Sequence, residues 1–277
     1  MLTVENLRVT FPTRTGLVEA VRGVSLEVGR EKVGIVGESG SGKSTVGRAV
    51  LGLLPPQAMV SADRLEFEGV DLLRARPARW RELRGGRVGM ILQDPKHALN
   101  PVMRVGAQIA ESLRDHQRLR GRAAQKRVIE LLADVRIRDP RRVAEAWPHE
   151  LSGGMGQRAM IAMMLAGEPD LLIADEPTSA LDVTVQLQVL AILDHLVTGR
   201  GMGLVFISHD LELVASFCDR VAIMYAGRVV ETCRASELHV AQHPYTRGLL
   251  GCLPRLDRPQ ARLPMLLRDA AWLEDGR

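Results

Sequence analysis

Apolar residues recur along this chain in three patterns, and each predicts a different kind of element. Near the N-terminus, LTVENLRVTF (residues 2–11) and AVRGVSLEV (20–28) alternate apolar with polar side chains. That is the period of strands with one buried face, and antiparallel strands are expected over residues 1–30. Short unbroken apolar runs come next: KVGIV (32–36) running into a glycine turn, then LLIAD (171–175), LVFIS (204–208) and VAIMY (221–225). Runs of that length predict strands of a covered, mostly parallel sheet. The third pattern is helical. Val185, Val189, Ile192 and Leu196 recur at helical spacing, and KSTVGRAVLGLL (43–54) reads as the helix that follows the glycine turn.

Strands alternating with helices imply a doubly wound α/β core. Residues of about 95–168 break the rhythm, being helix-rich and arginine-rich without an obvious strand, and are expected to form an inserted helical lobe. Beyond Ser236 the chain carries several prolines and no clear sheet element, so the core is expected to end near residue 235, with a tail over 236–277. No internal repeat is visible.

Composition changes this picture little. With 277 residues, 46% hydrophobic and 25% charged, the chain has the make-up of an ordinary folded protein. Its net charge is only +4, and arginine supplies nearly all the positive charge beside four lysines, Lys32, Lys43, Lys96 and Lys126. Cys218, Cys233 and Cys252 form no CxxC pair, which argues against a zinc site or a disulfide framework and suits a reducing compartment. The start MLTVENLRVTF places charges where a signal peptide needs an apolar core, so no secretion signal is expected. No run of about 18 apolar residues is present to span a membrane.

Three motifs carry the chemistry. Gly37–Glu38–Ser39–Gly40–Ser41–Gly42–Lys43–Ser44, followed by Thr45, fits G-x-x-x-x-G-K-[ST] between a strand and a helix. Its glycines allow backbone N–H groups to ring phosphates at a helix N-terminus; Lys43 can reach the outer phosphates, and Ser44 offers a hydroxyl to Mg²⁺. The motif alone would suit a kinase, a GTPase, a helicase or a transporter. LLIADE delivers Asp175 at a strand end, where a carboxylate can hold Mg²⁺. Glu176, one residue on, is placed to polarise an attacking water. LSGGMGQR (151–158) then sets Ser152, Gly153 and Gly154 at the start of a helix, a second small-residue anion site without a lysine. Two phosphate-binding helix starts with only one set of Mg²⁺ ligands suggest two chains arranged head to tail, each lending its second site to the other's nucleotide.

With these residues together, the sequence resembles the ATPase subunits of ABC (ATP-binding cassette) transporters. Gly37–Thr45 resembles Walker A, LLIADE Walker B, LSGGMGQR the family signature, and SALD (179–182) the D-loop. Gln93 in ILQDP matches the Q-loop and His209 in FISHD the switch histidine; the likeness spans roughly residues 1–235. Met155 stands where the signature usually has glutamine, a variant associated with peptide-type importers.

The resemblance implies a P-loop NTPase (RecA-like) core, with an N-terminal antiparallel β subdomain and an inserted helical subdomain. It also implies ATP and Mg²⁺ as the bound species. Lys43, Gln93, Glu176 and His209 would serve hydrolysis, and Ser44, Gln93 and Asp175 the metal. Phe11 would stack on adenine. Ser152, Gly153, Gly154 and Gln157 would face a partner's nucleotide, and Asp182 would signal across the dimer interface.

Within the family, ILQDPKHALNPVMRVGAQIAE, WPHELSGGMGQRAMIAMML and HPYTRGLLGCLPRL look like the ATPases of dipeptide, oligopeptide and nickel importers. Many members carry a cysteine-bearing extension; this tail has only Cys252, which removes the case for an iron–sulfur cluster and leans the expectation towards nickel- or metallophore-type members. The implied partners are a second homologous ATPase subunit (a heterodimer, or else a homodimer) and two integral membrane permease subunits. An extracytoplasmic binding protein would act indirectly, and no nucleic acid is expected. The implied place is the cytoplasmic face of the inner membrane. A soluble, non-transport ABC ATPase is the rival, although neither a long coiled-coil insertion nor a second cassette is present.

Other features have simpler readings. RARPARWRELRGGR (74–87) has six arginines around a tryptophan, but acids such as Glu82 lie close, and a solvated surface is the simpler account. His239 and His243 stand four apart without a carboxylate or thiol to complete a metal set. The methionines of MIAMMLAG (160–167) read as core packing.

Overall fold

The computed structural model describes residues 1–253 and Trp272, without the side chains of Lys96 and His97; what the sequence suggests for the rest of the tail lies outside the described residues. The chain opens with strands β1 (Leu2–Thr13), β2 (Gly16–Val28) and β3 (Lys32–Val36), then helix α1 (Lys43–Val50). Short strands β4 (Met59–Ser61), β5 (Arg64–Phe67) and β6 (Val70–Asp71) precede α2 (Pro77–Leu83) and β7 (Val88–Ile91). Five helices follow: α3 (Pro95–Ala98), α4 (Val105–Gln117), α5 (Gly121–Asp134), α6 (Pro140–Glu145) and α7 (Gly153–Leu165). The rest runs β8 (Leu171–Asp175), α8 (Val183–Arg200), β9 (Gly203–Ser208), α9 (Leu211–Phe217), β10 (Arg220–Tyr225), β11 (Arg228–Arg234) and α10 (Pro244–Gly251). No described helix is long and apolar enough to cross a membrane.

The chain divides into two compact units, one made of Met1–Leu73 with the chain from Phe206 onward, the other of Arg74–Val205. In the first unit the N-terminal strands form an antiparallel sheet in the order β2-β1-β5-β6, with β4 also on β1. Leu2, Val4, Leu7 and Val9 of β1 are all buried, yet Val4 and Leu7 are three apart, so a strict alternation would expose half of them. A register shift between Val4 and Leu7 repairs the phase, with Asn6 in the left-handed region at φ 50. Asn6 is suited to it: its N–H donates to Ser25 Oγ at 3.0 Å and its side-chain amide to Asp63 at 3.1 Å. In the same unit β3 lies parallel to β10, with Val36 beside Ile223, and β10 turns back antiparallel into β11.

In the second unit β7 runs parallel to β8, from Val88 beside Leu171 to Ile91 beside Ala174. All four β7 residues and all five β8 residues are buried, as a doubly covered sheet requires. The helical lobe packs by its apolar stripes. Ala124, Val128, Leu131 and Leu132 face inward from α5, and Val105, Ile109 and Leu113 from α4. Helix α7 is buried over most of its surface, including Met160 and Ile161. Of the helical series expected in α8, Val189, Ile192 and Leu196 are buried.

Candidate nucleotide site

In the first unit, Gly37–Gly42 link the buried end of β3 to α1. Gly42 is the N-cap of α1 at φ 99, and a Cβ there would lie 2.5 Å from the Ala20 carbonyl oxygen. No side chain caps this end, and the N-terminus of α1 carries the partial positive charge that favours an anion. Lys43 is only 5% exposed. Its ammonium donates to the carbonyls of Gly37 and Glu38, each at 2.8 Å, and to Ser41 Oγ at 3.5 Å. The lysine is thereby folded back along its own loop.

Phe11 and His209 lie in the same unit. Phe11 pairs with Val18 near the tip of the β1–β2 hairpin, where Leu17 and Val18 are exposed, and its ring is half-exposed rather than core. His209 is exposed just past β9. Beside it, the Asp210 N–H donates to Ser208 Oγ at 3.0 Å, and the Asp210 carboxylate accepts from Leu213 N at 2.9 Å to cap α9.

Gln93, the Ser152–Gly154 start, Gln157, Asp175, Glu176 and Asp182 belong to the second unit. Asp175 is buried at the end of β8, and Glu176 follows at φ 48, a left-handed conformation that a glutamate rarely adopts. The Glu176 carbonyl accepts from both the N–H and the hydroxyl of Ser179, at 3.3 and 3.2 Å. Gln93 Nε2 donates to the Glu176 carboxylate at 3.2 Å, joining residues 83 apart in sequence. Ser152 caps α7 by accepting from Met155 N at 3.4 Å, and Asp182 caps α8 by accepting from Val185 N at 3.0 Å. Gly154 brings the two helices close: a Cβ there would sit 2.5 Å from Val185 Cγ1. Segments carrying Asp94, Pro95, Leu151, Ser152, Gly153 and Leu181 line a cavity of about 620 Å³. The signature, the stretch after Gln93 and the stretch before Asp182 thus meet in one unit.

Some residues take plain roles. His243 caps α10, its Nδ1 accepting from Tyr245 N at 3.1 Å. Burial pushes the Cys218 thiol up to about 12, which leaves it neutral and unreactive. Arg79 pairs with Glu82, and Arg84 lies over the Trp80 ring at 4.5 Å. Sequence reasoning passed over Tyr245, whose hydroxyl accepts from the Glu38 N–H at 3.2 Å; the signal available was that it is one of only two tyrosines.

The model of the ABC transporter family matches residues 21–179. The dipeptide transport ATP-binding protein of Bacillus subtilis is 47% identical over 95% of this chain and 79% of its own length. The probable D,D-dipeptide transport ATP-binding protein of Escherichia coli is 46% identical over 96% of this chain and 82% of its own. Among solved structures, a dimeric ATP-binding cassette in a post-hydrolysis state with ADP and phosphate superposes with a TM-score of 0.74 at 26% identity, over 85% of this chain and 99% of that one. The chain belongs to the ABC transporter family, as an ATP-hydrolysing cassette.

Proposed function

We propose that this chain is the ATP-hydrolysing motor of a peptide importer, working with a second cassette and with membrane permease subunits at the cytoplasmic face of the membrane. The observation that carries the hydrolytic reading is Glu176: strained backbone at a buried strand end, with its carboxylate held by Gln93 at 3.2 Å. Such a carboxylate can accept a proton from water attacking the terminal phosphate. The names of the Bacillus and Escherichia relatives support a peptide cargo.

In this reading Gly37–Thr45 cradle the phosphates of ATP, which take the place of the Gly37 and Glu38 carbonyls as partners of Lys43. Phe11 stacks on adenine. His209 donates to the terminal phosphate as charge shifts in the transition state. The hydroxyl of Ser44, the amide oxygen of Gln93 and the carboxylate of Asp175 are hard oxygen donors suited to Mg²⁺, which would offset the phosphate charge when bound. Ser152 and Gly153, both exposed, serve the nucleotide of the second cassette, a homologous subunit or a second copy, and Asp182 links the two sites. Gln157, at 1% exposure, and Gly154, packed against Val185, are buried within the fold and do not face a partner as the family pattern implied. ATP favours the closed pair and its products do not, and this difference in binding drives the membrane subunits.

The test is ATPase activity in liposomes holding the assembled complex and its binding protein, across peptides, Ni²⁺ and metallophore complexes. Loaded binding protein should raise hydrolysis for peptides. Glu176→Gln should lower the stimulated rate on the order of 10²-fold or more. Hydrolysis that ignores the membrane subunits and every cargo would sink the importer reading, and stimulation by Ni²⁺ alone would replace peptide by metal.

A further inference from the structure

We propose that Tyr245 is a positioning residue for the phosphate loop: its phenol holds the loop entry from outside and sets how tightly the chain binds ATP and ADP. The inference rests on the reading of Gly37–Thr45 as the ATP-binding loop. A fully buried phenol needs a hydrogen-bond partner, and that of Tyr245, at 0% exposure, includes the Glu38 N–H at 3.2 Å. The ring is wedged against Tyr225, with centroids 4.4 Å apart, and against Trp272 at 5.8 Å. Its helix is anchored in turn. The N–H groups of Gln242 and His243 both donate to the Glu231 carboxylate of β11, at 2.6 and 3.3 Å, and His243 caps α10.

Glu38 is the point where this support meets the machinery. Its carbonyl accepts from Lys43 Nζ at 2.8 Å and from Ser41 N at 3.2 Å, while its N–H goes to Tyr245. When Lys43 turns to phosphate, one hold on the Glu38 peptide is given up, and the phenol remains. Beside it, Gly227 N–H donates to the Ser41 carbonyl at 3.0 Å, so the turn after β10 supports the loop from a second point. Without the phenol, the loop entry spreads over more conformations. Apparent affinity falls by the fraction of time spent in the competent one.

The substitution Tyr245→Phe keeps the ring and removes the hydroxyl, and with it the acceptor for the Glu38 N–H. Titration of the full chain with fluorescent ATP and ADP analogues in Mg²⁺ should show both weakened about fivefold, the consequence of losing one ordinary hydrogen bond. Thr246→Val changes the neighbouring buried hydroxyl, which has no partner among the described residues, and should bind as the unaltered chain does. Lys43→Ala should abolish binding. If the unaltered chain binds neither nucleotide, the phosphate-loop reading falls and this inference with it. If it binds and Lys43→Ala does not, but Tyr245→Phe stays within twofold of the unaltered chain, only the positioning role is overturned. Equal weakening by Thr246→Val would also overturn it, as a general effect of disturbing α10. Hydrogen exchange supplies a measurement that needs no variant: the Glu38 amide should be protected in the nucleotide-free chain, and rapid exchange there would remove the bond on which the role depends.

Discussion

The backbone of Glu176 sits at φ 48, where a long L side chain costs on the order of 1 kcal/mol or more. Two donors from Ser179 on its carbonyl and Gln93 on its carboxylate hold it there. A residue kept in such a conformation by its surroundings is a place where stability and activity can be separated. Glu176→Gly should relieve the strain and raise the melting temperature by about 2–4 °C while lowering hydrolysis on the order of 10²-fold or more. Glu176→Gln keeps the strain, and should melt as the unaltered chain does with the same loss of activity. Calorimetry beside an ATPase assay checks both. A Glu176→Gly chain that melts lower would mean that the conformation costs nothing and that the carboxylate bond to Gln93 dominates. At this scale the motif residues were legible because their spacing is local: nine consecutive positions define the phosphate loop. The Gln93–Glu176 bond was not, since residues 83 apart are joined only by the pairing of β7 with β8. Tyr245 was legible only as part of a subfamily marker; its bond to Glu38 spans 207 positions.

At the scale of elements, the approach of α7 to α8 is a close contact of the second unit. Ala is a better helix former than Gly by about 1 kcal/mol, so Gly154→Ala would stabilise an isolated α7. In the folded chain its Cβ would meet Val185 Cγ1 at 2.5 Å, and valine has few rotamers in which to retreat. Gly154→Ala should therefore lower the melting temperature, and adding Val185→Ala should recover part of the loss, as a double-mutant cycle for touching residues requires. Additive losses would place the strain elsewhere. The strands at Lys32–Val36 and Leu171–Asp175 were legible to the residue, because short unbroken apolar runs end at a glycine turn or an acid. β7 was missed. Val88–Ile91 is four residues long, follows RGGR and borders the helical lobe, so its full burial is a tertiary fact. β11 was missed for the opposite reason: as an edge partner of β10 it is half-exposed, with polar residues such as Glu231 and Thr232 between its valines and Cys233. The β1 bulge at Asn6 was hidden because the pattern looked like plain alternation until Leu7 shifted the phase.

For the whole molecule, the reading to test is that the lysine-free helix start serves the nucleotide of a second chain. Gly153 is exposed, and the nearest atom to a Cβ built there is Leu181 Cδ2 at 3.9 Å, so α7 has room for a larger residue. Gly153→Asp should thus leave the fold intact while setting a carboxylate where a phosphate would dock, repelling it. If this start completes a site on a second chain, the isolated Gly153→Asp chain should bind a fluorescent ATP analogue within about twofold of the unaltered chain, and the assembled complex should lose hydrolysis. Lys43→Ala should instead lose binding in the isolated chain. The two variants then divide the molecule into what it does for its own nucleotide and what it lends. Should Gly153→Asp weaken binding by the isolated chain as severely as Lys43→Ala does, both helix starts would act on one nucleotide within one chain, and the head-to-tail pairing would have to be abandoned.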